Sequence, residues 1–461
     1  MLVPAGLNLA FDNSDWQAFV SSAAVTLFIG GALVLCSLRP GGRTTSLGQG
    51  FLVANLAWLA LALFGALPFY LAENDLGTIE ALFESVSGIT TTGASVMEDL
   101  SELPAGILLW RGLLAWIGGI SVVLLALILL PVLQVSGMQF FRLEAAAQGQ
   151  ASPRAAELSL GIAGLYILIT LFGAAALAIT GMPILDAVIH AMSAISTTGI
   201  PTHETSIAHY ENWAVEAVLI VLMLCGALPF FALLQATRGH VKTLYRDSQV
   251  RLLFGFLIGA TVMIALWRWL ELEEGTPETL WSSLFTVASM MTGTGYRITE
   301  IHAWGALPGA VLLFLMLIGG AAGSTSSGVK LFRVQIFATM ALVQLRRLTR
   351  PHGVFVPRLG HREIPEDVSN AVLSYFVLFT FAYMALTLLF GLSGLSLENA
   401  LSVTASALAN VGPALLDPAF ARGDYSALTD GGKLIMIVGM FVGRLEILVV
   451  LVVFTLRFWR S

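Results

Sequence analysis

The sequence predicts an all-α membrane protein built from four like-oriented units, each a long span, a short re-entrant helix and a second span, preceded by an N-terminal helical segment. Three observations predict it. First, 57% of the 461 residues are hydrophobic and only 11% are charged, with a mean hydropathy of +0.85; a soluble domain carries about 25% charged residues. Second, apolar runs of roughly 20 residues, the length a bilayer core requires, recur along the whole chain. Third, shorter apolar segments recur between them, each ending at a glycine in a common register.

The long spans read as 16–38, 48–72, 104–135, 155–181, 211–236, 247–270, 303–335, 367–391 and 432–457. The short segments read as 77–89, 183–195, 279–291 and 397–409, too short to cross a bilayer. No stretch between them has room for a soluble catalytic domain. Cys36 and Cys225 both lie in apolar runs and do not form a disulfide framework. The N-terminus lacks the pattern of a cleaved secretory signal. Residues 1–12 resemble the tail of an outward-running helix, so the chain is expected to be short of most of that helix.

The Lys/Arg distribution predicts orientation. Arg39 and Arg43, Arg142 and Arg154, Arg238, Lys242, Arg246 and Arg251, then Arg346, Arg347, Arg350, Arg358 and Arg362, and finally Arg457 and Arg460 fall on one side if each long span crosses once. That side is expected to be the cytoplasm. Glu73, Asp75, Glu98, Asp99, Glu102, Glu204, Glu271, Glu273, Glu274 and Glu300 fall on the other. Individually these are solvated loop acids; together they raise the cation concentration at an outer mouth.

The register glycines are Gly93, Gly199, Gly295 and Gly412, about a hundred residues apart. Six residues earlier stands Ser87, Ser193, Ser289 or Ser406. Four earlier stands Ile89, Ile195, Met291 or Leu408. One earlier stands Thr92, Thr198, Thr294 or Val411, and thirteen earlier the polar Glu80, Asp186, Ser282 or Asn399. One glycine after one threonine carries no signal; four in one register, each between two spans, carry a strong one. A polar residue suits the start of a short helix, whose opposite, negative end then favours a cation at the membrane centre. Glycine permits the left-handed turn of an extended segment that follows. Irregular backbone at membrane depth must be buried or line water, and four such segments around an axis present rings of carbonyl oxygens that replace the hydration shell of potassium. The alternative, glycines that only let helices pack closely, accounts neither for the short segments nor for the Thr/Val before each glycine.

At these residues the chain resembles the membrane subunit of the bacterial Trk potassium uptake system, within the Trk/Ktr/HKT superfamily. The resemblance covers nearly the whole chain. It is carried by Ala81-Leu82-Phe83-Glu84-Ser85 leading to Gly88-Ile89-Thr90-Thr91-Thr92-Gly93-Ala94, by Trp110-Arg111-Gly112, Trp116-Ile117-Gly118-Gly119 and Gly137-Met138-Gln139, and by Ser196-Thr197-Thr198-Gly199. It continues in Gly319-Gly320-Ala321-Ala322-Gly323-Ser324-Thr325, Asn410-Val411-Gly412-Pro413 and Gly443-Arg444-Leu445-Glu446-Ile447. The resemblance implies pseudo-fourfold symmetry around a central pore, with repeats at 48–135, 155–236, 247–335 and 367–457 after a segment 1–47. It implies potassium bound at a selectivity filter made by Thr91, Thr92, Gly93, Thr197, Thr198, Gly199, Gly293, Thr294, Gly295, Asn410, Val411 and Gly412. It implies a homodimer in the lipid bilayer of the inner membrane, a cytosolic nucleotide-binding Trk regulatory subunit as partner, no nucleotide or covalent cofactor on this chain, and no nucleic acid. Glycine rather than serine at position 93 goes with potassium over sodium in the superfamily. Two positions depart from the usual pattern: Gly293, where threonine is expected, and Ala414, where glycine is expected. Extra backbone freedom at Gly293 is expected to loosen discrimination against sodium.

Residues 319–328, Gly-Gly-Ala-Ala-Gly-Ser-Thr-Ser-Ser-Gly, interrupt the seventh span. Gly319 and Gly323 are spaced for close helix packing; alternatively the helix breaks here into a loop beneath the filter. The glycine and hydroxyl residues, which disfavour helix, and Lys330 just beyond favour the loop. The resemblance makes it a gate that includes Gly319, Gly320, Gly323, Ser324, Thr325, Gly328, Lys330 and Arg444. A nucleotide P-loop is excluded, because Val329 stands where the lysine must follow. A charge at a helix centre costs about 2.5–3.5 kcal/mol, so Lys330 and Arg444 face water, a partner or, by snorkelling, the interface; for Arg444 the pore is favoured, where a cation would repel potassium and pair with loop carbonyls.

Other functional classes are weighed by the same residues. A sodium-permeable or ion-coupled secondary transporter of the same fold is the nearest rival, although the repeats share one orientation and no mid-membrane carboxylate stands out. The chain carries no metalloprotease or nucleophile-elbow motif, so it does not read as an enzyme. His190 reads as a packed or hydrogen-bonded group; His352 and His361 read as contacts to a partner or lipid.

Overall fold

The computed structural model describes residues 1–37, 47–73, 76–129, 155–350, 352–359, 362–455 and 458–460. Arg39, Arg43, Asp75, Gly137-Met138-Gln139, Arg142, Arg154, His361, Arg457 and the end of the expected span 104–135 lie outside them. The described chain is helical apart from loops and a two-stranded hairpin, Arg358–Leu359 with Arg362–Glu363.

Helices Leu2–Ala10 and Trp16–Ser37 come first. The first is anchored by Asn8, fully buried, whose Oδ1 accepts the Gly106 amide at 2.7 Å. Four repeats follow. The first joins Leu47–Leu71, the short helix Thr78–Ile89 and Ala105–Leu129. The second joins Ala155–Ile179, the short helix Ile184–Ile195 and Trp213–Ala227 with Phe230–Thr237. The third joins Ser248–Glu271, the short helix Pro277–Thr292, Ala306–Ile318 and Leu331–Thr349. The fourth joins Glu366–Leu392, the short helix Leu397–Ala409 and Asp430–Arg444 with Ile447–Val453. Six described helices are long and apolar enough to cross a membrane, or eight if each bent pair counts as one span.

Three inner spans are not the continuous rods that their hydropathy suggests. The expected span 211–236 bends by 107° between Trp213–Ala227 and Phe230–Thr237. The break falls at Leu228-Pro229, where proline lacks an amide hydrogen and disfavours helix at the residue before it. The expected span 432–457 bends by 107° between Arg444 and Ile447, with Glu446 in a left-handed conformation, φ +64°. The span 303–335 stops at Ile318 and resumes at Leu331.

Apolar packing joins the repeats around the centre. One large cluster links the second and third short helices through Ala187, Ala191, Phe285 and Ala288. Another links the first and fourth through Phe83, Val86, Val403 and Ala407. At the outer edge Lys433 of the fourth repeat pairs with Glu80 of the first at 2.7 Å.

The polar residue thirteen before each glycine was expected to cap its helix. Glu80 does so, accepting the Gly77 amide at 3.0 Å. The others bond to neighbouring side chains instead: Asp186 accepts from Tyr210 Oη at 2.8 Å, Ser282 accepts from Arg268 Nη1 at 2.8 Å, and Asn399 Nδ2 donates to Asp417 at 3.1 Å. Arg268 also pairs with Glu274 at 2.6 Å.

Candidate ion-conduction site

Each short helix ends in a buried segment built on one repeated hydrogen bond. The amide before each register glycine donates to the carbonyl of the register serine: Thr92 to Ser87 at 2.8 Å, Thr198 to Ser193 and Thr294 to Ser289 at 2.9 Å, and Val411 to Ser406 at 3.1 Å. The serine hydroxyl then holds the chain beyond the glycine. Ser87 donates to Ala94 O at 2.5 Å, Ser289 donates to Tyr296 O at 2.8 Å, and Ser193 Oγ accepts the Ile200 amide at 2.7 Å. In the fourth repeat Ser406 binds Val411 O and Gly412 O, and Tyr425 Oη adds a bond to Gly412 O at 2.9 Å. The register had shown the serine, but not this clamp across the glycine.

The residue two before each glycine is left-handed in every repeat: Thr91 at φ +57°, Thr197 at +55°, Gly293 at +81° and Asn410 at +51°. Gly293 therefore adopts the turn of its counterparts and does so without the Cβ strain they carry. Ala414 lies outside the left-handed region and its amide donates to Phe420 O at 2.8 Å, so nothing at that position requires glycine.

In three repeats a hydroxyl pair spans the turn: Thr90 with Thr92 at 2.8 Å, Ser196 with Thr198 at 2.7 Å and Thr292 with Thr294 at 2.8 Å. The fourth has Ala409 and Val411 at these places. There Asn410 Nδ2 reaches across to Thr92 Oγ1 at 3.0 Å and to Met440 O at 2.9 Å.

The register glycines close these segments into a ring. A Cβ on Gly93 would overlap the Thr198 carbonyl oxygen, and one on Gly199 the Thr294 carbonyl oxygen. One on Gly295 would stand 2.5 Å from Pro413 Cδ, and one on Gly412 3.0 Å from the Gly93 carbonyl. Each repeat thus abuts the next, and the fourth returns to the first. All the residues expected at the filter are buried and meet here. Above Gly93 opens a cavity of about 270 Å³, lined by Glu98, Asp99, Glu204 and Asp424 together with Arg422.

Just past the ring, inner-span glycines let the spans approach the last turn of the first, second and fourth short helices. A Cβ on Gly118 would overlap Ile89 O, and one on Gly443 would overlap Leu408 O; one on Gly226 would stand 2.6 Å from Ile195 O.

Residues 319–330 form the broken segment, buried as far as Val329. Gly319, Gly323, Gly328 and Lys330 have positive φ, a series no continuous helix accommodates. The loop lies under the second repeat: the Ala321 amide donates to Ala227 O at 3.0 Å, the Thr325 amide to Gly226 O at 3.1 Å, and Thr325 Oγ1 to Ile195 O at 2.9 Å. Gly320 N donates to Ser326 Oγ at 2.8 Å, and Ser324 Oγ to Ala321 O at 2.6 Å. Thr197 Oγ1 stands 3.4 Å from Thr325 Oγ1, joining ring and loop.

Arg444, 5% exposed, reaches this loop from the fourth repeat. Nη1 donates to Thr325 O at 2.9 Å and Ser327 Oγ at 2.6 Å, and Nη2 to Gly118 O at 3.3 Å. Lys330 is half-buried and is not brought into the ring. One residue went unnoticed in the sequence: Arg333, fully buried, pairs with Glu446 at 2.7 Å and lies 3.8 Å over the Tyr375 ring. Glu446 therefore serves Arg333 rather than its chain neighbour Arg444. A charge just past the glycine loop was the available signal. His190 is hydrogen-bonded on both ring nitrogens, Nδ1 to Tyr296 Oη at 2.8 Å and Nε2 to Thr202 Oγ1 at 3.2 Å.

The family model TrkH, a cation transport protein, matches residues 16–266 and 276–460. The chain is 36% identical to the Trk system potassium uptake protein TrkI of Halomonas elongata, over 96% of this chain and 89% of that protein. It is 32% identical to the Trk system potassium uptake protein TrkH of Escherichia coli K12, over 100% and 96% respectively. The crystal structure of the potassium transporter TrkH from Vibrio parahaemolyticus superposes with a TM-score of 0.92 at 30% identity, covering 100% of this chain and 96% of that one. Fold, ring and sequence agree: this multi-pass membrane protein belongs to the TrkH family of cation transport proteins.

Proposed function

We propose that the chain conducts potassium into a bacterial cell through a selective, channel-like pore. The observation that carries this reading is the closed ring, in which each register glycine rests against the next repeat. A closed ring of buried, extended segments, with helix C-termini aimed at it, suits a dehydrated monovalent cation. Thr91, Thr92 and Gly93, with Thr197, Thr198 and Gly199, Gly293, Thr294 and Gly295, and Asn410, Val411 and Gly412, supply the filter. The potassium named for the relatives in all three organisms is the expected cargo. The acids at the mouth concentrate cations before entry.

The loop 319–330 is the gate in this reading, and Arg444 holds it across the pore. The chain sits in the inner membrane with its C-terminus in the cytoplasm, forms a homodimer, and opens under a cytosolic nucleotide-binding Trk regulatory subunit. The basic positions on one side of the spans support that orientation.

The test is the reversal potential of the purified protein in a planar bilayer, potassium on one side and sodium on the other. A potential near the potassium limit is expected. A potential near zero would refute selectivity. Absence of current alongside rubidium uptake into vesicles would point to slow coupled transport or to a pore shut without its cytosolic partner.

A further inference from the structure

Nine residues before the register glycines the short helices carry Glu84, His190, Thr286 and Val403, all buried directly behind the ring. Their support for the strand in front differs from repeat to repeat. Glu84 Oε1 accepts from Ser95 Oγ at 2.6 Å and from the Val96 amide at 2.7 Å, while Oε2 takes Arg111 Nε at 3.1 Å. Ser95 and Val96 are the second and third residues beyond Gly93, so the carboxylate grips the chain as it leaves the ring. Through its backbone, Ser95 also joins the fourth repeat, its amide to Gly423 O at 2.9 Å and its carbonyl to the Tyr425 amide at 2.8 Å. His190 makes the lesser, neutral-type contact to Thr202. Among the described residues Thr286 Oγ1 has no hydrogen-bond partner, and Val403 offers no polar group.

A buried ion pair is costly unless its geometry is good and its remaining groups are bonded, and an apolar residue of similar volume commonly replaces it without loss. Val403 shows that the same place in this fold accepts an apolar side chain. The pair is 2% exposed on each side, and the bonds Glu84 accepts from the Ser95 hydroxyl and the Val96 amide are charge-assisted and geometrically exacting. Selectivity in a carbonyl ring follows from the number, field and placement of its oxygens. We infer that Glu84, oriented by Arg111, is the positioning residue that fixes the outer end of the filter and thereby its discrimination of potassium from sodium. This rests on the filter reading above.

The experiment is the bi-ionic reversal potential, potassium against sodium, of the full-length protein and four variants. Ser95→Ala removes one bond to Glu84 and keeps the ion pair; Glu84→Val imports the residue of the fourth repeat. Both are expected to raise the sodium-to-potassium permeability ratio, Glu84→Val by about tenfold, the change that ~1.4 kcal/mol of lost discrimination produces. Arg268→Gln removes a buried arginine from an ion pair whose Glu274 partner is exposed and which touches no filter strand, and should leave the ratio at the wild-type value. Gly93→Ser alters the ring itself and reports on the filter reading. An unchanged ratio in Ser95→Ala and, where it folds, Glu84→Val, with a shifted ratio in Gly93→Ser, overturns the inference alone. An unchanged ratio in Gly93→Ser overturns the filter reading and the inference with it. A ratio that rises equally in Arg268→Gln reduces Glu84 to general structural support.

Discussion

Arg444→Ala is the perturbation that bears most directly on gating. The guanidinium makes two strong contacts with the loop, to Thr325 O at 2.9 Å and Ser327 Oγ at 2.6 Å, and a longer one to Gly118 O at 3.3 Å. Hydrogen bonds involving a charged group each contribute ~1.5–3 kcal/mol net. Against this, burying the cation beneath the ring costs the closed arrangement several kcal/mol. The remainder is about 2 kcal/mol in favour of the loop position described here, which corresponds to about a thirtyfold change in the open-to-closed ratio. The assay is single-channel recording of the purified variant without its cytosolic partner. Basal open probability should rise by about that factor, and Arg444→Lys, which keeps the charge but loses the fork, should fall between the two. An open probability equal to or below wild type would refute the argument, since the contacts would then not be specific to the closed pore.

Other expectations follow from the same geometry. Gly199→Ala places a methyl into the Thr294 carbonyl oxygen and should abolish potassium current in bilayers while the protein still elutes as a folded species. Gly293→Thr restores the residue of the first two repeats, its Cβ in ordinary contact with Ser326 Oγ at 3.5 Å and Val411 Cγ2 at 3.7 Å; it should lower thermal stability in detergent by about 1 kcal/mol of left-handed strain and leave the permeability ratio unchanged. Glu446→Gln should destabilise by ~3–5 kcal/mol, because it leaves the fully buried Arg333 uncompensated, and Arg333→Gln by less, because Glu446 is partly exposed. The double variant should cost clearly less than the sum, as a thermal-unfolding double-mutant cycle will show.

Much of this architecture was legible in the sequence because local backbone demands it. Glycine at the ring and serine six residues earlier answer to turns and bonds within one segment, so they repeat wherever the segment repeats. Long-range relations left weaker traces. The sharp bends at Leu228-Pro229 and Leu445-Glu446 sit inside apolar runs, and hydropathy registers lipid compatibility rather than direction. That Gly118, Gly226 and Gly443 face the carbonyls of Ile89, Ile195 and Leu408 depends on tertiary packing, and their differing distances from the register glycines hide the equivalence. Arg333 carries no mark in the sequence that sets it apart from an ordinary loop-flanking charge; only its ring contact with Tyr375 and its pairing with Glu446 do so. The shared left-handed turn makes Gly293 an ordinary member of the set, which the bare comparison of residue types could not show.

The cyclic arrangement of the register glycines has a genetic consequence. Each segment is the wall against which its neighbour is set, so a lesion in one repeat is felt first by the following repeat, not by its own helices. Suppressors of a substitution at Gly93 should therefore arise around Thr198, and suppressors of one at Gly412 should arise around Gly93, at the other end of the gene. Four repeated units locked head to tail in this way form a single mechanical loop, in which no one segment can shift without displacing the next.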